Sequence, residues 1–373
     1  MIKVLELIDS GFLGGGQIHV LSIAENIDKS EFDLTIAAKG GKKFEAVVIK
    51  AGIPFQDFYM PKLLRKKYLN PLINYCRQEK INIVHSHGGV AGFYGGMIKK
   101  YLPEIKTVHS IHGIHYVNSK NLIRKFTSGA IEQYILKYTD TTICSSYSDL
   151  EKACRMGIAD INNSVLINNG INVSKYSEID SKSELLSLKF DLSDMNFVVG
   201  NISRFDEQKN QKLIIKAAAR LLKKYPEMKF VFVGDGEQLF SAQSLAKHYG
   251  IQHNLYFEGE RENLLDYYSV FDAFVFPTFW EGMPYVLLEA MASHVPVICS
   301  DIPCHREILG EEDCALLIDP KDVNELCEKI ICLYEDKDLG KSISEKAFER
   351  VKIFDEAAMV QKIENVYREV MEK

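Results

Sequence analysis

The chain has 373 residues, which suits two domains of ordinary size. It is 46% hydrophobic and 10% aromatic, enough to build packed cores and to exclude wholesale disorder. The net charge of −6 is unevenly spread: the first 190 residues carry 24 basic and 18 acidic side chains, the remainder 21 and 33. A basic first half points to an anionic partner, and neither composition nor motif points to nucleic acid.

The N-terminal MIKVLELIDSGFLGGG lacks the apolar core and small-residue cleavage site of a secretory signal. No apolar run reaches the ~18–20 residues of a membrane span. A cytoplasmic protein, with at most peripheral attachment to the membrane face, is expected. The eight cysteines include no C-x-x-C pair. Several sit in apolar strand patterns such as TTICSS and VPVICS, so reduced, buried thiols are expected and a cysteine zinc site is not.

Short apolar runs alternate with amphipathic stretches from end to end. In the first half they are IKVLELI, DLTIAA, INIVHSH, KTVHSI, TTICSS and SVLINN. In the second they are NFVVGNI, KFVFVG, LYFEG, AFVFPT, VPVICS and ALLID. Continuous apolar strands covered by helices predict an α/β chain with doubly wound parallel sheets. Helical spacing over 16–27 places Ile18, Leu21, Ala24 and Ile27 on one face; the C-terminal 322–373 reads as helical, with Leu326, Ile330 and Leu333 aligned. A polar, Ser-rich stretch at 171–195 reads as a linker. The expected domains are 1–170 joined by the C-terminal helix at about 355–373, and 196–354.

Doubly wound sheets bind ligands beyond the carboxyl ends of their strands, so chemistry is expected there and in a cleft between the domains. After the first strand, Gly14, Gly15 and Gly16 open a helix, where backbone amides approach an anion or sugar closely. The pattern is neither G-x-G-x-x-G nor a P-loop, which argues against dinucleotide binding. His85, His87, His109, His112 and His115 cluster after two strands. H-x-x-H-x-x-H at a strand end is not expected to bring three rings to one metal, so a cleft-lining role is favoured, with His109 a possible core residue. In SRFDEQKN, Arg204 and Lys209 follow a strand and suit a diphosphate held by charge-assisted bonds. VGDGE supplies a strand-to-helix turn at Gly234. In AFVFPTFWEGMPYVLLEAMA, Glu281 stands at the mouth of a helix starting near Pro284. The amides of Met283, Tyr285 and Val286 would point at a phosphate. Glu289, eight residues after Glu281 in an apolar helix, needs a specific partner, either a pair of ribose hydroxyls or a group within the protein.

These motifs resemble the retaining, sugar-nucleotide-dependent glycosyltransferases of family 4, with the two-Rossmann GT-B fold. The resemblance spans nearly the whole chain. It is carried by EGMPYVLLEAMA as the Glu-x7-Glu motif, together with GGGQIHV, SIHGIHY, NNGIN, SRFDEQKN, VGDGE and SDIPCHREI. Departures are Gln17 for glutamate, Asn172 for aspartate, and His294 for the glycine of Ala-x-Gly-x-Pro.

The resemblance implies a role for each matched residue. Arg204 and Lys209 bind the donor diphosphate, Glu281 the transferred sugar and Glu289 the ribose. The Gly15–Gly16 loop supports phosphate and acceptor, His112 lines the reacting centre, and Glu307 helps form the donor pocket. It further implies transfer without an obligatory metal or other cofactor, the nucleotide-sugar being substrate and UDP preferred to GDP. The acceptor expected is a glycan, lipid-linked, in surface polysaccharide assembly. A sugar-nucleotide epimerase, a phosphorylase or a non-catalytic nucleotide-sugar-binding subunit are the competing readings. PKLLRKKYLNPL and Lys120, Arg124 and Lys125 beside Leu122, Ile123 and Phe126 suit docking on an anionic leaflet.

Overall fold

The computed structural model describes residues 1–373 except 63–64, 115–116, 118–120, 178–181, 194–195 and 312, and the side chains of Leu122 and Arg124. It divides into two compact units, Met1–Gly170 with Glu356–Lys373, and Ile171–Asp355.

The first unit is a seven-stranded sheet of β1 (Ile2–Ile8), β2 (Phe32–Ala38), β3 (Phe55–Asp57), β4 (Ile83–His87), β5 (Lys106–Ile111), β6 (Thr141–Cys144) and β7 (Ser164–Leu166). The order is β3-β2-β1-β4-β5-β6-β7, and every pairing is parallel. Strand alternation sorts the core. Val4, Ile36, Ile83 and Val108 pack on one face with Met359, Ile363 and Tyr367 of the C-terminal helix Glu356–Glu372. Leu5, Leu7, Ala37 and Val84 turn to the other face, against Leu69, Leu72 and Tyr94. β3 was not expected from the sequence. It is a three-residue edge strand, FQD, with no apolar run to announce it.

The second unit holds β8 (Phe197–Ile202), β9 (Met228–Val233), β10 (Leu255–Phe257), β11 (Ala273–Phe276), β12 (Val297–Ser300) and β13 (Leu316–Ile318). Their order is β10-β9-β8-β11-β12-β13, again all parallel. Residues 171–195, set apart as a linker by composition, fall within this unit and carry helices Val173–Ser177 and Glu184–Lys189. Leu186 and Phe190 are buried there, which gives the polar stretch its anchor.

Strand order reverses between β1 and β4 in the first sheet and between β8 and β11 in the second. These switch points are where doubly wound sheets open to ligands. In the first, Glu6 is in register with His85 and Ile8 with His87.

Two local differences have physical causes. The helix Gly15–Asn26 buries Val20, Ile23, Ala24 and Ile27, while Ile18 and Leu21 are only half-buried, so the inward stripe is rotated from the expected one. His294 keeps the left-handed backbone that a glycine would favour, φ 54°, and its ring stacks on Phe348 at 4.0 Å.

Candidate functional site

In the first unit the chain leaves β1 and enters the helix Gly15–Asn26 through Gly14, its extended N-cap. A Cβ on Gly16 would lie 3.4 Å from Ile8 Cδ1 and 3.9 Å from His112 Cδ2, so the glycine loop lies against the His112 ring. Gln17 Nε2 donates to the Ser10 carbonyl at 2.9 Å and braces this loop.

Beside the loop lies a buried polar group that no motif announced. Glu6, wholly buried, accepts from Tyr367 Oη at 2.5 Å and from His87 Nε2 at 2.6 Å. His87 Nδ1 is 2.9 Å from His112 Nε2, and His85 Nδ1 is 2.6 Å from Tyr367 Oη. His112 itself is half-buried. Burial alone would raise the Glu6 carboxyl; the field of His85 and hydrogen bonds from His85 and His87 outweigh it and hold Glu6 well below the usual carboxylate range. Burial pushes His87 down to about 4. Burial and the neighbouring imidazoles push His112 well below its ordinary value.

The histidines converge in a way the sequence pattern did not suggest. Donor atoms of His19, His87 and His112 lie within 4.8 Å of one another, as do those of Glu6, His85 and His87, and either set could hold a metal ion. His112 meets His87 from the neighbouring strand and His19 from the helix. The reason is the parallel pairing of β4 and β5, which sets their ends side by side. His109 is a core residue, buried at 3.0 Å from Ser86 Oγ, and His115 lies outside the described residues.

In the second unit, Lys209 Nζ and Glu281 Oε1 are 2.5 Å apart, and Thr278 Oγ1 donates to the same oxygen at 2.8 Å. Asn210 positions the lysine. It adopts φ 55°, and its side-chain amide donates to the carbonyls of Pro277 and Pro320 at 3.1 and 2.7 Å. Gln208 Nε2 donates to the Trp280 carbonyl at 2.6 Å, tying the lysine loop to the glutamate loop. Arg204 is exposed, with Nε 2.7 Å from Asp206 Oδ2.

The glycine turn supports the Arg204 loop through its backbone. A Cβ on Gly234 would sit 2.1 Å from Ser203 O, and one on Gly236 2.3 Å from Phe205 O. That close approach lets Phe205 N donate to Asp235 O at 2.9 Å.

Pro284 is the N-cap of the helix Tyr285–Ala292, so Tyr285 and Val286 form its first turn and Met283 precedes it. Met283 and Tyr285 are buried, Val286 half-buried. Glu289 is 3% exposed, with Tyr176 Oη and Tyr268 Oη each donating to one carboxylate oxygen at 2.9 Å. Burial pushes its carboxyl up, against the pull of the two hydroxyls. Glu307 is half-buried in the helix Pro303–Leu309, its carbonyl taking a bond from Arg350 at 3.2 Å.

No sequence motif singled out His305, two residues before Glu307. It is wholly buried, Nδ1 is 2.8 Å from Ser300 O, Nε2 has no hydrogen-bond partner among the described residues, and it lies in the field of Glu281 and Lys209. Its place inside SDIPCHREI was the available signal.

Two parallel-sheet units of this topology, with polar groups gathered at both switch points, have the GT-B fold of glycosyltransferases. A family profile described as Glycosyltransferase Family 4 matches residues 13–175, and one described as Glycosyl transferases group 1 matches residues 184–350. The chain belongs to this family of glycosyltransferases.

Among its relatives is the UDP-Gal:alpha-D-GlcNAc-diphosphoundecaprenol alpha-1,3-galactosyltransferase of Escherichia coli, 25% identical over 98% of this chain and 96% of that one. The D-inositol 3-phosphate glycosyltransferase of Corynebacterium glutamicum is 20% identical over 97% and 93%. The crystal structure of HepE from Anabaena in complex with UDP-glucose superposes with a TM-score of 0.87, at 20% identity over 99% of this chain and 100% of that one. Among the described residues, no helix is long and apolar enough to cross a membrane.

Proposed function

We propose that this protein moves a sugar from a UDP-linked donor, with retention of anomeric configuration, to a lipid-linked glycan acceptor during surface polysaccharide assembly. The observation that carries the reading is the Lys209–Glu281 pair at the switch point of the second sheet, just ahead of the N-terminus of the helix Tyr285–Ala292. Lysine and the helix N-terminus would take the diphosphate, and Glu281 the sugar hydroxyls. Arg204, exposed on its loop, would close on the same phosphates. Glu289 would share its oxygens between the tyrosines and the ribose, a carboxylate having lone pairs for both. Glu307 would complete the donor pocket, and His112 with the Gly15–Gly16 loop would serve the reacting sugar and the acceptor.

The relative in Escherichia coli, whose printed activity uses UDP-Gal and a diphosphoundecaprenol-linked sugar, supports this choice of donor and acceptor class. With cations and helix amides on the diphosphate, the reaction should need no divalent metal. The leaving phosphate can itself take the acceptor proton, so no carboxylate nucleophile is required. The N-terminal unit would rest on the anionic leaflet through its basic residues.

The test is transfer from UDP-sugars to a polyprenyl-diphosphate-linked sugar in EDTA, with the product anomer read by NMR. An axial product bond from an axial donor is expected at full rate. An inverted product, or activity that returns only with manganese, would overturn the corresponding part.

A further inference from the structure

Hydrogen-bond directions in the buried group of the first unit can be counted atom by atom. An ionised Glu6 can only accept, so both Tyr367 Oη and His87 Nε2 donate to it. The one hydroxyl hydrogen of Tyr367 is thereby committed, and His85 Nδ1 must donate to the tyrosine oxygen. A neutral His87 has its single N–H on Nε2, facing Glu6, which leaves Nδ1 bare. The neighbour of that bare nitrogen, His112 Nε2 at 2.9 Å, must therefore donate to it. In a neutral His112 the other nitrogen, Nδ1, then carries a lone pair. Nδ1 has no hydrogen-bond partner among the described residues, and the Cδ2 edge of the ring is covered by Gly16.

The geometry points to Glu6, acting through His87, as a positioning residue that fixes His112 in the Nε2–H tautomer, so that His112 meets its ligand through Nδ1 as an acceptor from a sugar hydroxyl. This rests on the reading of His112 as a sugar contact. It also sharpens it. A hydroxyl has a hydrogen to give Nδ1, whereas a phosphate oxygen has none and would meet lone pair with lone pair. The subsite therefore selects sugar over phosphate, and His112 does not deliver a proton to a leaving group. The C-terminal helix takes part, because Tyr367 occupies the second oxygen of Glu6 and leaves Oε2 for His87.

The experiment is long-range 1H–15N correlation on the full chain labelled in histidine, with His112 identified by its loss in His112→Gln. The wild type is expected to show His112 as the neutral Nε2–H form at pH 7.5. In Glu6→Gln the amide can offer a hydrogen to His87 Nε2, which reverses the chain, so an Nδ1–H signal should appear for His112. In the same variant kcat should fall about ten- to a hundred-fold while UDP affinity stays within about twofold. An Nδ1–H on wild-type His112 overturns the proposal whether or not the protein transfers sugar. An unchanged His112 tautomer in folded Glu6→Gln overturns the role of Glu6. A wild-type transfer rate in His112→Gln overturns the sugar contact, and does so independently of the tautomer.

Discussion

Lys209 and Glu281 form an ion pair 2.5 Å long, with side chains only 15% and 7% exposed, 72 residues apart in sequence. The pair neutralises two charges that would otherwise be costly to bury, and it presets the ammonium with further hydrogens to donate.

Removing one partner leaves the other charge stranded. Lys209→Ala should cost about 3 kcal/mol of stability, and Lys209→Ala with Glu281→Gln should recover most of it. UDP binding should fall about ten- to a hundred-fold in both proteins, because the phosphate contact is lost either way. Denaturant midpoints and UDP titration separate the two effects. A double variant that regains wild-type UDP affinity would show that Lys209 serves the fold alone.

Glu289 poses a different question, since both its oxygens already have tyrosine donors. If it also accepts from the ribose, Glu289→Gln should weaken UDP binding by about 1.5–3 kcal/mol. The same substitution should matter far less for 2′-deoxy-UDP, which lacks one of the two hydroxyls. Calorimetric titration of both nucleotides into both proteins gives the comparison. An equal loss for the two ligands would assign Glu289 to holding Tyr176 and Tyr268 in place.

Acid should weaken this fold from an unusually high pH. Burial holds His87 and His305 down to about 4 and His109 down to about 3, and pushes His19 and His112 down as well. Unfolded, each titrates near 6.5, so between the two values the unfolded chain binds more protons and stability is lost as pH falls. Each fully buried imidazole contributes about 1.4 kcal/mol per pH unit in that window. Glu132, raised to about 7 by burial, and Glu289, also raised, act with the opposite sign, because folded carboxyls take up protons first. Asp9, raised by burial, joins these carboxyls and His294, lowered by burial, joins the imidazoles, so six imidazoles against three carboxyls leave a net loss. Tm should be level above pH 7 and fall steadily from about pH 6.5 to 4.5. A flat Tm across that interval at constant ionic strength would contradict the buried-neutral assignment.

The fold was legible because its signal is repetitive. Runs such as IKVLELI and KFVFVG serve strands buried on both faces, and twelve of them mark the two sheets. β3 was not legible, since an edge strand of three residues buries little and needs no apolar run. In the second unit the Glu-x7-Glu segment named its own residues, while their internal partners Tyr176, Tyr268 and Thr278 came from distant or unmarked positions. Glu6 did leave a trace. A carboxylate at the inward-facing position of an apolar strand must be paired, which calls for buried donors beside it. Its partner Tyr367 lies 361 residues away, beyond the reach of any local pattern.

The proposed membrane docking would draw on fewer of the basic and apolar residues than the sequence stretches contain. Arg65, Lys66 and Lys67 are exposed, as is Lys62, but Leu69 lies on the buried face of the helix Lys66–Glu79, in the core. Leu63, Leu64, Lys120 and the side chains of Leu122 and Arg124 fall outside the described residues. Among the described residues of these stretches, Ile123 and Phe126 are large apolar side chains exposed at 75% and 78% on the helix Leu122–Lys137. Charge and insertion should separate in vesicle flotation. Replacing Arg65, Lys66 and Lys67 by glutamine removes about 1 kcal/mol each, so partition onto anionic vesicles should fall about a hundred-fold, with a weaker salt dependence remaining. Ile123→Ser with Phe126→Ser should weaken binding while leaving its salt dependence intact, because only buried area is lost. Equal recovery on neutral and anionic vesicles, or no loss in the glutamine variant, would remove the basic segment from any role at the membrane.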